Sequence, residues 1–102
     1  MNFNQLVKQA QQMQRKVNKV RKEFEEKTFD FDGQQGAIKG KINGKLEIVE
    51  LNISDQMLNI ENKDILQDLI IVTLNETIQK VSQEKDDTLN KVTNGVDVSA
   101  FL

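Results

Sequence analysis

The 102-residue sequence contains no cysteine, histidine, proline, tryptophan or tyrosine. Without cysteine there is no disulfide framework and no thiolate nucleophile, and without cysteine or histidine no ordinary zinc site can be built. Without histidine the commonest general base near neutral pH is gone. Catalysis would fall to Asp, Glu, Lys, Ser or Thr, and the carboxylates are scattered among solvent-type positions. The composition therefore argues against an enzyme, a metal centre, a cofactor and a small-molecule substrate. Long hydrophobic runs are missing as well. Leu69-Ile70-Ile71-Val72 is the longest, far short of the roughly 20 residues that cross a bilayer. Met1-Asn2-Phe3-Asn4-Gln5 turns polar and basic instead of apolar, so no signal peptide and a cytoplasmic location are expected. With 37% hydrophobic and 29% charged residues and a formal net charge of −2, the chain is expected to fold as one domain over residues 1–102.

Acidic residues are absent from one stretch. Residues 1–22 hold Lys8, Arg15, Lys16, Lys19, Arg21 and Lys22 and no Asp or Glu, a local charge of +6. The other 8 basic residues and all 16 acidic ones follow, giving −8 and restoring the total of −2. A basic arm on an acidic body points to an anionic partner.

Phe3, Leu6, Ala10, Met13, Val17, Val20 and Phe24 are spaced alternately three and four apart, the a/d seam of a coiled coil or helix pair. Gln, Lys, Arg and Glu, good helix formers, fill the positions between. One helix is expected over residues 3–27. Thr28 to Ile53 changes to period two. Phe29 and Phe31 alternate with polar residues, and Gly33-Gln34-Gln35-Gly36 makes a turn. Ile38 and Ile42 follow, Asn43-Gly44 predicts a type I′ hairpin, and Leu46, Ile48, Leu51 and Ile53 form the return strand. A phase change at Val49-Glu50 predicts a bulge. Ser54–Asn62 reads as a connector to a second long helix, capped by Asn62 or Asp64 and running to Asn94 with Gly95 as its stop. The first half of that helix (Ile65, Leu66, Leu69, Ile70, Val72, Leu74, Ile78, Val81) reads as buried on more than one face. The second half, Ser82 to Lys91, reads as an arm extending past the core.

The fold class expected is α+β: a long N-terminal helix, a three-stranded antiparallel sheet and a long C-terminal helix. These elements cannot wrap around one core in 102 residues. Self-association as a two-fold homodimer is the simplest way to cover them.

With Phe3 at heptad position a, Lys8, Arg15 and Lys22 all fall at f, pointing straight away from the seam, with Lys19 at c, Lys16 at g and Arg21 at e. Rows of Lys and Arg bind duplex DNA by displacing its condensed counterions. Gln9, Gln11, Gln12, Gln14 and Asn18 lie beside the row and are suited to phosphates or groove edges. A bland solvated face would alternate its signs, because i,i+4 Glu–Lys pairs stabilise helices and like charges do the opposite. An anionic membrane fits less well, since the seam is narrow and lacks the Trp or broad apolar face of interfacial helices. Lys outnumbers Arg 12 to 2, and bidentate guanine reading favours Arg, so contact through the DNA backbone with little sequence preference is expected. Asp30 and Asp32, two apart, suit a charged edge strand better than a cation site. Asp86-Asp87 reads as solvated.

Several short runs now fall into a familiar order. Leu6-Val7-Lys8-Gln9-Ala10-Gln11-Gln12-Met13-Gln14 is close to the K-Q-A-Q-x-M-Q opening of the YbaB/EbfC family of bacterial nucleoid-associated DNA-binding proteins. Ile42-Asn43-Gly44 stands at the family's hairpin N-G, and Leu51-Asn52-Ile53-Ser54 resembles its return strand. Leu66-Gln67-Asp68-Leu69-Ile70, followed by Asn75 and Gly95, resembles its second helix. The resemblance spans about residues 4–95. It implies a tweezer-like homodimer with projecting helices that binds DNA, alters its conformation and affects nucleoid organisation and gene expression. The family's DNA contacts are attributed to the projecting helices, and Lys8 lies inside the shared motif; the other five cations rest on the stripe itself. Ser54-Asp55 replaces the family's usual Pro, and the chain ends in Val96-Asp97-Val98-Ser99-Ala100-Phe101-Leu102 instead of a Gly- and Pro-containing tail. The alternative of a different class is a non-enzymatic protein–protein adaptor or scaffold dimer whose basic stripe serves an acidic partner.

Overall fold

A computed structural model describes residues 2–93. Helix α1 (Phe3–Glu25) is followed by strands β1 (Thr28–Gly33), β2 (Ile38–Asn43) and β3 (Ile48–Ile53) and then by helix α2 (Lys63–Val92). The sheet is antiparallel in the order β1-β2-β3. The α+β layout read from the sequence is the one observed.

Period two sorts the sheet into two faces. Phe29, Phe31, Ile38, Gly40 and Ile42 share the inner face, while Asp30, Asp32, Lys39 and Lys41 share the outer. Lys41 lies opposite Asp30 and pairs with it at 3.4 Å. The bulge is where the phase change placed it: Lys41 pairs with Glu50 and Ile42 with Ile48, leaving Val49 as the extra residue.

The Asn43-Gly44 turn is not type I′. Gly44 has no positive φ; that conformation falls instead on Leu46, at φ 67°. The Leu46 N–H bonds to the Asn43 carbonyl and the Asn43 N–H to that of Glu47. This is the three-residue loop with a left-handed third position. Leu46 thus belongs to the loop and not to the return strand, and its side chain packs against the core, which offsets the strain of that conformation. Gly44 is glycine for another reason. It lies against the end of α1, donates its N–H to the Lys27 carbonyl at 3.0 Å, and a Cβ there would overlap the Phe24 carbonyl oxygen. Positive φ at both central turn residues occurs at Gln35 (58°) and Gly36 (90°). The Asp32 carboxylate accepts the Gly36 N–H at 2.8 Å.

Two clusters form the core. Phe24, Ile42 and Val81 join α1, the sheet and α2, with Phe29, Leu46 and Ile78 packed around them. Val17 and Leu89 make the second, flanked by Met13, Val20 and Val92. Phe24 sits beside Val81 and Val17 beside Leu89, so the helices run antiparallel. They form a two-helix arm beyond the sheet in a molecule 70 × 19 × 16 Å along its principal axes.

This arrangement bears out one expectation with an addition and corrects two. The second half of α2 is indeed part of an arm, but α1 packs along it. The first half is not buried on several faces within one chain. Ile65, Ile71 and Val72 are exposed and the others half-buried, leaving Val81 as the buried member of the apolar set. The physical reason is that α1 lies against the other half and the sheet meets α2 mainly through β1 and β2. The Asn62 side chain does not cap α2. Asn59 accepts the Asn62 N–H instead, at 3.0 Å, and Asn62 donates to the Gln56 carbonyl at 3.2 Å. The expected stop at Asn94-Gly95 and the C-terminal tail lie outside the described residues.

Candidate nucleic-acid interface

The helix that carries the stripe is capped at its N-terminus and anchored to the core at its other end. Asn2 accepts the Gln5 N–H at 2.9 Å, which satisfies one orphan donor of the first turn. At the other end Phe24 is 2% exposed and its ring lies 5.4 Å from that of Phe29. A half-buried pair, Lys85 with Glu25 at 3.8 Å, ties the last turn to α2. Its 23 residues make a rod of about 34 Å at about 1.5 Å per residue, close to one turn of B-form DNA.

With Val17 and Phe24 buried against α2 and the sheet, the heptad phase is set. Lys8, Arg15 and Lys22 are all exposed on the opposite side of the helix. Lys16 and Lys19 are exposed on its flanks. Among the described residues none of these five is within ion-pair distance of a carboxylate. Arg21 differs. It is half-buried beside the seam, and its Nη2 is buried without a hydrogen-bond partner among the described residues. The structure thus brings five of the six cations onto one exposed surface and turns the sixth inward, a consequence of its e position that the stripe pattern alone did not show.

Two other surfaces carry net negative charge, the wrong sign for a polyanion. A cleft of about 560 Å³ between β1 and α2 is lined by Asp30, Asp32, Glu76 and Glu84 against Lys80. On α2, residues 63–92 carry six acids and four lysines, net −2. Among the described residues no group of three or more His, Cys, Asp or Glu side chains could hold a metal ion. None of the described helices is long and apolar enough to cross a membrane.

On the seam side of α1, away from these cations, the first turns are uncovered. Phe3, Leu6 and Val7 are exposed there, beyond the Val17–Leu89 cluster and its flanking Met13, Val20 and Val92.

Comparison with known proteins agrees with this architecture. The model of the YbaB/EbfC DNA-binding family matches residues 1–96. The chain is 38% identical over 102 residues to a nucleoid-associated protein of Clostridium novyi, covering 100% of this chain and 90% of that relative. It is also 38% identical over 90 residues to a nucleoid-associated protein of Ureaplasma urealyticum, covering 88% and 90% of the two chains. The crystal structure of an uncharacterized protein from Helicobacter pylori has the same fold, with a TM-score of 0.73 at 23% identity over 85% of this chain and 91% of that one. A match of this extent, on a chain with this fold and charge layout, places the protein: it belongs to the YbaB/EbfC DNA-binding family.

Proposed function

We propose that the protein is a non-enzymatic homodimer that binds duplex DNA along the outer side of α1 and alters its conformation, acting at the nucleoid of the cytoplasm. One domain, residues 1–102, carries this function. The observation that supports it best is the exposed, acid-free and unpaired line of Lys8, Arg15 and Lys22, flanked by Lys16 and Lys19, on a projecting helix. Arg21 stands at the margin of that surface. Lysine dominates, so the contacts are to phosphates and the sequence preference is weak.

The dimer rests on uncovered apolar surface. Ile48 and Leu51 on β3, Leu58 and Ile60 in the connector, and Ile65 and Ile71 on α2 are all exposed, with Ile60 at 88%. Large apolar side chains exposed on three successive elements are the kind of surface an interface covers. A second copy covers them by symmetry and leaves both arms free to engage one duplex.

Two measurements test this reading. In sedimentation velocity the protein is expected at twice 11.7 kDa at micromolar concentration; a monomer there contradicts the dimer. In fluorescence anisotropy, two duplexes of roughly 30 base pairs and unrelated sequence should bind within about threefold of each other, as phosphate contacts require. A large preference for one would contradict backbone binding.

A further inference from the structure

The sheet ends in two unlike edges. β3 exposes Ile48, Val49 and Leu51 and adjoins the apolar surface assigned above to the second copy. β1 is the other edge, paired only with β2 among the described residues. The Asn43 N–H bonds to Glu47 and the Ser54 N–H to Ala37, whereas the Gly44 N–H bonds to Lys27. Ile38, Gly40 and Ile42 therefore direct their backbone toward β1, where Gly33, Phe31 and Phe29 meet them. By alternation, the N–H and C=O groups of Thr28, Asp30 and Asp32 point out of the sheet. They meet no backbone partner among the described residues.

This free edge lines the cleft of about 560 Å³, whose other wall is α2 with Glu76, Lys80 and Glu84 beside Val81. An extended peptide adds to such an edge as a further strand; its main chain gives affinity and its alternate side chains give specificity. Charge selects the peptide. On the outer face the strands alternate in sign: Glu50 of β3 lies opposite Lys41, Lys41 pairs with Asp30, and Asp32 lies opposite Lys39. A next strand in that row is complementary when basic, because opposite charges across a sheet stabilise it and like charges do the reverse. The β1 edge of a second copy is excluded by the same rule, since it would set Asp30 and Asp32 against their own kind.

We propose that the β1 edge and its cleft with α2 dock an extended segment of another protein in which every second residue is Lys or Arg. The segment adds as a fourth strand beside Thr28, Asp30 and Asp32. These positions span about 13 Å at about 3.3 Å per residue, so a segment of about five residues covers them. The site shares no residue with the cationic side of α1 or with the exposed apolar set of the proposed dimer.

The test titrates the full chain, without DNA, into a fluorescein-labelled Lys-Val-Lys-Val-Lys peptide, with Glu-Val-Glu-Val-Glu as control. Only the basic peptide should bind, and hydrogen exchange at the Thr28, Asp30 and Asp32 amides should then slow at least about tenfold. Alternate amides of a strand point to opposite sides, so N-methylating one alternate set should abolish binding. Methylating the other set should leave it within about threefold. Glu76→Gln with Glu84→Gln should weaken binding about threefold with Tm nearly unchanged, as both residues are exposed. Equal binding by the two methylated isomers, with spermine displacing the peptide, would overturn the strand in favour of a plain cation site. Undiminished affinity in the double variant would overturn the cleft as the site. No binding of the basic peptide, or binding that slows none of the three amides, would overturn the proposal outright.

Discussion

Reversing the three outward cations together, Lys8→Glu, Arg15→Glu and Lys22→Glu, is expected to lower duplex affinity at least about a hundredfold at moderate salt. The fold should survive. All three side chains are exposed on the side of α1 away from Val17 and Phe24, and among the described residues none forms an ion pair that would be lost. Arg15→Glu even places an acid four residues before Lys19, a pairing worth a few tenths of a kcal/mol to a helix. Anisotropy with a labelled duplex reads the loss, and circular dichroism with thermal melting reads the fold. Unchanged affinity in a folded triple variant would remove the outer side of α1 as the binding surface.

Phe24→Ala should act in the opposite way, through stability. Phe24 is the one α1 residue in the cluster that joins the sheet, through Ile42, and α2, through Val81. Its ring also meets Phe29 at 5.4 Å and lies under the Lys27 ammonium at 5.9 Å. Truncating a buried phenylalanine costs about 3–5 kcal/mol, a large part of the roughly 5–15 kcal/mol that holds a domain together. The melting temperature should fall by more than about 10 °C. Leu6→Ala, on the same seam but at the exposed end, should change stability by less than about 0.5 kcal/mol. Equal losses from the two substitutions would mean that the α1 seam is closed along its whole length.

The contrast between these two positions shows what the sequence could and could not reveal. The seam from Phe3 to Phe24 fixed the phase of α1, so the outward side of the helix, and with it Lys8, Arg15 and Lys22, was legible from spacing alone. Strand order and the bulge at Val49 were legible too, because period two and its interruption are local signals. What failed depended on partners distant in sequence. Asn43-Gly44 has the residues of a type I′ turn, but Gly44 is there because α1 ends against it, and nothing within the hairpin reports the Phe24 carbonyl. The first half of α2 is apolar on several sides, which states a need for cover without stating whether the same chain or another copy meets it. A seam residue likewise carries no mark of where its partner helix stops, so Phe3 and Leu6 read as core. Charge alone groups Arg21 with its neighbours, whereas its place beside the seam turns part of its guanidinium inward.

The central claim is that the unpaired cations of α1 bind the DNA backbone. It is tested most directly by measuring the affinity for one mixed-sequence duplex across a range of salt concentrations. Phosphate neutralisation predicts a straight fall of log affinity against log salt, with a slope near −0.9 for each contact. Several of the exposed cations acting together give a slope of about −3 or steeper, and Lys8→Ala makes it shallower by about one unit. A slope near zero, or no binding at low salt, would contradict the account and turn the basic arm toward an acidic protein partner.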